Sequence, residues 1–329
     1  MTPLAPLLQS FFSERLLDQR RASPRTVAAY RDSFRLLLRF ASARTHKAPA
    51  DLALGDLDAP CIADFLRHLE TDRGNDPRTR NARLSAIHSF FSYIAAREPA
   101  ELALVQRVLA IPHKRFDRAL VTFLASAEVD ALLAAPDRDT WFGRRDHTLL
   151  LLAVQTGLRV SELVGLTLDD VHLGKGAHVR CRGKGRKERN TPLRAQSVAV
   201  LRAWLKECGT AGSAPLFSSR LGGSLSRDAV ERLVDKHAAR AARTCESLRG
   251  KTVSPHVLRH TSAMQLLHGG VDRSVIALWL GHESVETTEM YLHADLSIKE
   301  RALARTAPYR TGAKRFRPSD ALLAFLEAL

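Results

Sequence analysis

The spacing of apolar residues is the feature that most limits the fold of this chain. From residue 1 to about residue 117, apolar residues recur at intervals of three or four, as at Leu8, Phe11 and Phe12, which is the period of an amphipathic helix. Between residues 167 and 193 the period changes to two, where Val179 and Cys181 alternate with polar positions as in a half-buried strand. The sequence therefore predicts a mainly α protein with a small antiparallel β-sheet.

The net charge of the chain indicates which kind of molecule it binds. Lysine and arginine together number 50 against 35 acidic residues, which leaves a net charge of +15. A field of this sign attracts polyanions, of which nucleic acid is the commonest. The chain lacks a long apolar run and a secretory leader, so we expect a cytoplasmic protein that has no membrane partner. The four cysteines are scattered without a CxxC pair, which predicts neither a disulfide framework nor a zinc site: Cys61, Cys181, Cys208 and Cys245.

Helix-start signals and a basic connector predict how the chain is divided. Ser23-Pro24 and Asp58-Ala59-Pro60 each combine a capping side chain with an early proline, and a fourth helix is expected from about residue 78 to residue 96. One face of that helix carries three candidate DNA-binding residues: Arg78, Arg80 and Arg83. The basic, proline-bearing stretch 111–118 is typical of a linker. We therefore expect an all-helical domain over 1–112, a mixed α/β domain over 118–310 and a tail over 311–329.

The predicted sheet contains an unusually basic hairpin. Residues 180–189 hold six basic residues and one acidic residue, which suits a finger that follows DNA phosphates, although a solvated charged loop is the alternative. The candidate DNA-binding residues here are Arg180, Arg182, Arg186, Lys187 and Arg189. Lys184 lies in the turn between two glycines and, unlike arginine, can release a proton. Lys187 is a competing candidate for the same task.

A helix that starts at Ser254-Pro255 carries a second cluster. His256, Arg259 and His260 stand at spacings of three and four, so they share neighbouring parts of one helix surface near its first turn. Free N–H groups in a first turn favour an anion, and imidazole beside guanidinium is suited to binding a phosphate and moving a proton. Taken alone, His260 is better explained by a structural hydrogen bond. A metal site formed with His282 is disfavoured because no HExxH glutamate is present.

Two further turns complete the pattern. Thr156-Gly157 is expected to end a helix that begins near Asp146, and Ser161-Glu162 to cap and start the next one. Leu280-Gly281 is expected to close a later helix, which leaves His282 on a turn. Ser284 can then cap a helix that reaches toward Tyr291. A lone tyrosine at helical spacing usually packs in a core, so only its neighbours single this one out.

Taken in order, these strings resemble the tyrosine recombinase (phage integrase) family, with the Xer and integron-integrase branches nearest in style. The matching strings are Thr156–Leu163, Gly183–Gly185, His256–His260, Leu280–His282 and Tyr291. The resemblance covers roughly residues 5–310, because the N-terminal helical part also looks like the family's SAM-like core-binding domain. It implies a recombinase-type catalytic domain over 118–310.

The resemblance also implies a reaction. Tyr291 would attack phosphorus and form a 3′-phosphotyrosyl link, while Lys184 would donate a proton to the leaving 5′ oxygen, with Lys187 as its substitute. The remaining residues act around the phosphate: Arg159 and Arg259 would clamp it, His256 and His282 would hydrogen-bond it and help move protons, and Glu162 and His260 would support them. ATP is not expected, because the covalent ester keeps the energy of the broken bond. A metal or another cofactor is not expected either, because side-chain cations can take the role of a metal.

Partners follow from the same resemblance. Double-stranded DNA and a homotetramer on two DNA sites are expected, and accessory proteins are left open. The apolar end of the tail, Leu322–Leu329, fits a helix that docks onto a neighbouring protomer, or one that folds back onto its own domain. Two other functions remain: strand cleavage and religation like that of a type IB topoisomerase, and DNA-binding regulation without cleavage. A metal-dependent nuclease is the weakest rival.

Overall fold

The structure is a computed structural model that describes residues 2–116, 121–183, 188–208 and 212–282, together with Thr288, Tyr291 and Phe325. It divides into two compact units, Met1–Arg118 and Ala119–Leu329. Within the described ranges both units are mainly helical and one small sheet lies in the second, which confirms the predicted fold class. Among the helices described, none is long and apolar enough to cross a membrane.

The first unit is built from helices alone over its described residues. They are α1 (Leu4–Ser10, continued by the π-helical segment Phe11–Gln19), α2 (Pro24–Thr45), α3 (Ala59–Thr71), α4 (Pro77–Arg97) and α5 (Leu102–Leu109). The predicted starts of α2 and α3 are confirmed, since the side chains of Ser23 and Asp58 each accept a hydrogen bond from the backbone three residues on. Aromatic rings fill the centre: the rings of Phe11 and Phe90 meet edge to face, with 5.4 Å between their centroids.

The second unit surrounds a nearly buried helix. Its elements are α6 (Ser126–Ala134), α7 (Trp141–Thr156), α8 (Val160–Val164), β1 (Val171–His172), β2 (His178–Arg182), β3 (Glu188–Pro192), α9 (Ala195–Leu205), α10 (Arg227–Ala241), α11 (Pro255–His268) and α12 (Arg273–Leu280). Helix α7 packs against α6, α9 and α11. Its buried Asp146 binds both Arg145 and His237, so the charge is compensated inside the core.

The sheet has three antiparallel strands in the order β1-β2-β3. Val179 and Cys181 are buried while Arg182 is exposed, so the predicted two-residue alternation is confirmed. The pairing of Cys181 with Arg189 puts these two side chains on the same face of the sheet. Pro192 ends β3, as expected of a residue without a backbone donor. The predicted turn at 183–185 lies mostly outside the described residues.

The junction between α7 and α8 differs in one respect from the expectation. Gly157 adopts a left-handed conformation with φ of 63° and ends α7, as predicted. Ser161, however, is not the cap of α8, because the helix already begins at Val160. The Glu162 carboxylate instead accepts a hydrogen bond from the Arg159 backbone N–H at 2.8 Å. The prediction of a Ser161 cap was wrong because a carboxylate in the first turn serves this helix start.

Candidate active site

The C-terminal end of α12 collects three arginines from distant parts of the second unit. The carbonyls of three consecutive residues each accept a hydrogen bond from a different guanidinium: Trp279 from Arg189 Nε at 3.0 Å, Leu280 from Arg259 Nη2 at 2.8 Å and Gly281 from Arg159 Nη2 at 2.9 Å. A helix end leaves its last carbonyls unpaired and carries partial negative charge, so it is a natural anchor for cations. The arginines are thereby fixed beside the turn that carries His282.

A buried carboxylate lies between two of these arginines. The Glu162 side chain is 3% exposed. It accepts a hydrogen bond from Arg159 Nη1 at 3.0 Å and two more from Arg189, at 3.1 and 2.8 Å. Burial alone would raise the pKa of this carboxyl, but the hydrogen bonds from Arg189 and from the Arg159 backbone outweigh burial, so the pKa is lowered. One ionised carboxylate thus stands among three arginines, which leaves an excess positive charge for an anion.

Arg259 is the most enclosed of the three cations. The residue is 5% exposed, and its Nη1 donates to the Gly157 carbonyl at 2.6 Å. Burial lowers its pKa to about 10, with the nearby charge of Arg159 adding to the effect. The guanidinium is therefore still charged at neutral pH. Arg159, whose side chain is 30% exposed, is the more open member of the pair.

Arg189 does not occupy the position expected of a DNA-contacting residue. Its side chain is only 14% exposed, and its three nitrogens donate to Glu162 and to the Trp279 carbonyl. The sheet register explains this orientation, because Arg189 pairs with buried Cys181 and therefore points to the covered face. The sequence did contain the signal: Arg189 lies two positions before Thr191, which is also buried on that face.

The nucleophile candidate Tyr291 lies inside this cluster. It is 1% exposed and belongs to a buried apolar cluster with Met264, Ile276 and Leu280. Its Oη is 3.0 Å from Nδ1 of His260. Burial raises the pKa of the phenol above its ordinary value, although the positive charges of Arg259 and Arg159 act in the opposite direction. The structure therefore brings the tyrosine to the arginines that precede it in sequence.

The histidines around Tyr291 differ in environment. The His282 ring stacks on Tyr291 with 6.4 Å between centroids, and its Nδ1 lies 2.8 Å from Thr288 Oγ1. Burial, reinforced by the charges of Arg259 and Arg159, lowers the pKa of His282 to about 4. His256 is exposed, so the cluster predicted on α11 does not share a single environment. At neutral pH His282 is uncharged and can donate a hydrogen bond without adding repulsion to the arginines.

Several predicted residues fall outside the described part of the chain. These are Lys184, Arg186 and Lys187 in the hairpin, Ser284 before Tyr291, and the tail 311–329 apart from Phe325. Besides Arg189, the described hairpin candidates are Arg182, whose side chain is 75% exposed beside Glu188, and Arg180, which pairs with Asp170 at 3.4 Å. Among the described residues, no group of three His, Cys, Asp or Glu could hold a metal ion. The described His256, His260 and His282 form no such group.

The candidate DNA-binding residues of α4 are not equivalent. Arg78 is exposed, whereas Arg80 Nη1 donates to the Pro112 carbonyl at 3.1 Å and so holds the following segment of the same unit. Arg83 is half-buried and lines a groove of about 280 Å³ with residues of α2. Three exposed basic residues on α2 were not predicted from the sequence, although their spacing of four residues places them on one face of a helix: Arg31, Arg35 and Arg39.

Comparisons with known proteins agree with this arrangement. Residues 122–297 match the phage integrase family, and residues 9–98 match the phage integrase N-terminal SAM-like domain. The provisionally named integrase/recombinase y4rC of Sinorhizobium fredii is 58% identical over 99% of this chain and 98% of its own length. Tyrosine recombinase XerC of Pelobacter propionicus is 34% identical over 90% of this chain and 93% of its own.

Solved structures share the fold. The XerH site-specific recombinase bound to a palindromic difH substrate superimposes with a TM-score of 0.67 at 24% sequence identity, covering 87% of this chain and 81% of XerH. The family matches account for both units, and the relatives align over nearly the whole chain. The chain therefore belongs to the phage integrase family and is a tyrosine-type site-specific recombinase.

Proposed function

We propose that this recombinase cuts and rejoins double-stranded DNA through a 3′-phosphotyrosyl link to Tyr291. The observation that carries the proposal is the position of Tyr291 beside Arg159 and Arg259, which are both anchored on the end of α12. A phenol is a weak nucleophile at neutral pH and needs neighbouring cations or a base. The site offers both kinds of group.

The two arginines are the proposed clamp for the scissile phosphate. Phosphoryl transfer spreads negative charge over the phosphate oxygens, so fixed cations stabilise the transition state more than the ground state. Arg159 and Arg259 supply permanent charge, and Glu162 holds Arg159 in place. His256 and His282 are the proposed hydrogen-bond donors to the same phosphate. Fixed charges of this kind make a catalytic metal unnecessary, and the covalent ester makes ATP unnecessary.

Tyr291 is almost fully buried, so a phosphate can reach its Oη only after the surrounding residues move. We expect DNA binding to accompany that movement. Lys184 is the proposed proton donor to the leaving 5′ oxygen, with Lys187 as the alternative. In the sequence both lie between Arg182 and Glu188, which pair across the hairpin. Arg189, the neighbour of Glu188, is held by Glu162 and by the Trp279 carbonyl, which fixes this end of β3 beside the arginine cluster.

DNA is the proposed substrate of both domains, which we assign to residues 1–112 for core binding and 118–310 for catalysis. Exposed arginines on α2 and α4 would contact phosphates in the first domain, and Arg182 in the second. The crystal structure of XerH bound to its difH substrate supports this assignment, since the two proteins share a fold. Because DNA is the substrate, we place the protein in the cytoplasm.

Four protomers on two DNA sites are the proposed working assembly, joined by docking of the tail 311–329 onto a neighbour. Deleting residues 319–329 tests the docking, since tetramers on paired sites should then be lost while single-site binding remains. Unchanged tetramer formation would contradict the tail's role. Accessory proteins would appear as a requirement for further factors in reactions with purified recombinase.

The central test is trapping of the covalent complex on nicked suicide DNA. The wild-type protein should form an adduct, and Tyr291→Phe should abolish it while leaving DNA affinity nearly unchanged. Tyr30→Phe in the first unit is the matched control and should form adducts normally. Adducts that persist in Tyr291→Phe would refute the assignment. Joining of two marked sites separates recombination from topoisomerase-like religation, and DNA binding without any adduct would indicate a regulator.

A further inference from the structure

His260 lies beside Tyr291, and the proposed function gives this titratable residue no step in the reaction. Its Nδ1 lies 3.0 Å from Tyr291 Oη, and the two rings meet edge to face with 5.6 Å between centroids. Among the described residues, His260 is the hydrogen-bond partner of the attacking oxygen. A group at this distance from a reacting atom is within reach of the proton on that atom.

We propose that His260 accepts the phenol proton as Tyr291 attacks the scissile phosphate, and returns it during religation. This inference rests on the proposed function. In the cleavage step the Oη–H bond breaks and the proton binds Nδ1, while an Oη lone pair forms the bond to phosphorus. The bond from phosphorus to the 5′ oxygen breaks, and that oxygen takes its proton from Lys184 or its substitute. Religation reverses each transfer.

The environment of His260 suits an acceptor. Burial lowers its pKa to about 4, and the neighbouring His256 and Arg259 act in the same direction. At neutral pH the ring is therefore uncharged, and the tautomer protonated on Nε2 leaves the Nδ1 lone pair free for Oη. A ring of such low basicity does not ionise the resting phenol. It takes the proton only as the new bond to phosphorus draws charge from Oη.

Packing fixes the geometry that the transfer requires. Met264, one turn beyond His260 on α11, is buried in the same apolar cluster as Tyr291. The buried Thr261 hydroxyl donates to the Val257 carbonyl and accepts a hydrogen bond from the Leu124 backbone N–H at 2.9 Å. Arg259 on the preceding side donates to the Gly157 and Leu280 carbonyls, so helix α11 is tied to the chain on both sides of His260. The imidazole has little freedom to leave the phenol while this packing persists.

His260→Gln tests the transfer, because an amide can accept a hydrogen bond but cannot accept a proton. Cleavage is measured in single-turnover reactions on a nicked suicide substrate at saturating protein. We expect a loss of about 100-fold in rate with unchanged DNA affinity. The control is His268→Gln near the end of the same helix, which should cleave at the wild-type rate. Equal rates in His260→Gln and the wild-type protein would overturn the proposal.

A more acidic nucleophile separates proton transfer from a structural role. Difluorotyrosine at position 291 loses its proton more readily, so the ratio of the wild-type rate to the His260→Gln rate should shrink. The wild-type and His260→Gln rates are compared once with tyrosine and once with difluorotyrosine at position 291. A loss of activity in His260→Gln that is unrelated to the proton then lowers the rate equally in both comparisons. An unchanged ratio would mean that His260 only positions the ring and would overturn the proposal. Absence of adducts from the wild-type protein would instead refute the proposed function itself.

Discussion

Replacing Glu162 by glutamine tests whether one buried carboxylate holds the arginines of the active site together. The side chain keeps its size but loses its charge, and an NH₂ group replaces an oxygen that faced N–H donors. The remaining amide oxygen can accept only one of the two bonds from Arg189 and one of the two from Arg159, at its side chain or its backbone. Two cations are left without compensation in an enclosed site.

The expected size of the effect follows from burial. Removing one partner of a buried ion pair costs about 3–5 kcal/mol, and the low end applies here because Arg159 is 30% exposed and partly screened. A loss of about 3 kcal/mol in the free energy of unfolding corresponds to a Tm lower by about 6–12 °C for a unit of this size. We expect the cleavage rate to fall about 100-fold as well, since Arg159 is displaced.

The measurement is urea unfolding and thermal melting of Glu162→Gln beside a matched surface variant. Glu207 makes a similar two-pronged pair with Arg144, at 2.8 and 2.9 Å, but this pair is partly exposed. Glu207→Gln should therefore cost under about 1 kcal/mol. If the Glu162 variant is no less stable than the Glu207 variant, the buried carboxylate does not organise the site and the reasoning is wrong.

Three further experiments test other residues of the proposed site. Arg189→Lys should slow cleavage about tenfold without changing the salt dependence of DNA binding. Arg182→Ala should instead lower the slope of log affinity against log salt by about 1. Single-turnover rates measure the first effect, and salt titrations of DNA binding measure the second. The pKa of His282 is about 4 in the folded protein, whereas its ordinary value is 6.5. As the pH drops below about 6.5, the unfolded chain therefore binds a proton before the folded protein does, and the stability falls. His282→Gln should flatten the dependence of Tm on pH between 7 and 5. In a DNA substrate with sulfur in place of the 5′-bridging oxygen, the leaving group needs no proton. This substrate should therefore restore cleavage to whichever of Lys184→Ala and Lys187→Ala lacks the general acid. If it restores cleavage to neither variant, neither lysine is the general acid.

Local signals were enough to predict much of the fold. Ser23 and Asp58 cap their helices, and Gly157 ends α7, because each feature depends on residues within a few positions of one another. The two-residue alternation around Cys181 identified the sheet for the same reason. Such contacts are encoded in short windows of sequence, and their prediction needs no knowledge of which elements meet.

The roles of individual site residues depend on contacts between distant segments. His260 meets a tyrosine 31 positions later, and Arg259 reaches a carbonyl 102 positions earlier. Sequence spacing favoured a structural hydrogen bond for His260 because it could not show that Tyr291 supplies the partner. Arg189 was grouped with the surface arginines of the hairpin for a related reason. Its inward direction follows from strand pairing, and the pairing register is a property of the folded sheet.

The three arginine contacts on α12 are best regarded as one unit. Gly281 makes this arrangement possible, because its φ of 65° turns the chain after Leu280 and an added Cβ would lie 2.8 Å from Arg189 Nη1. Any shift of this turn would move the acceptors of Arg159, Arg189 and Arg259 together, and with them His282. Effects of substitutions at these positions should therefore not add, since residues in one hydrogen-bond network are energetically coupled. The proposed phosphate clamp would thus be a property of a helix end rather than of two separate side chains.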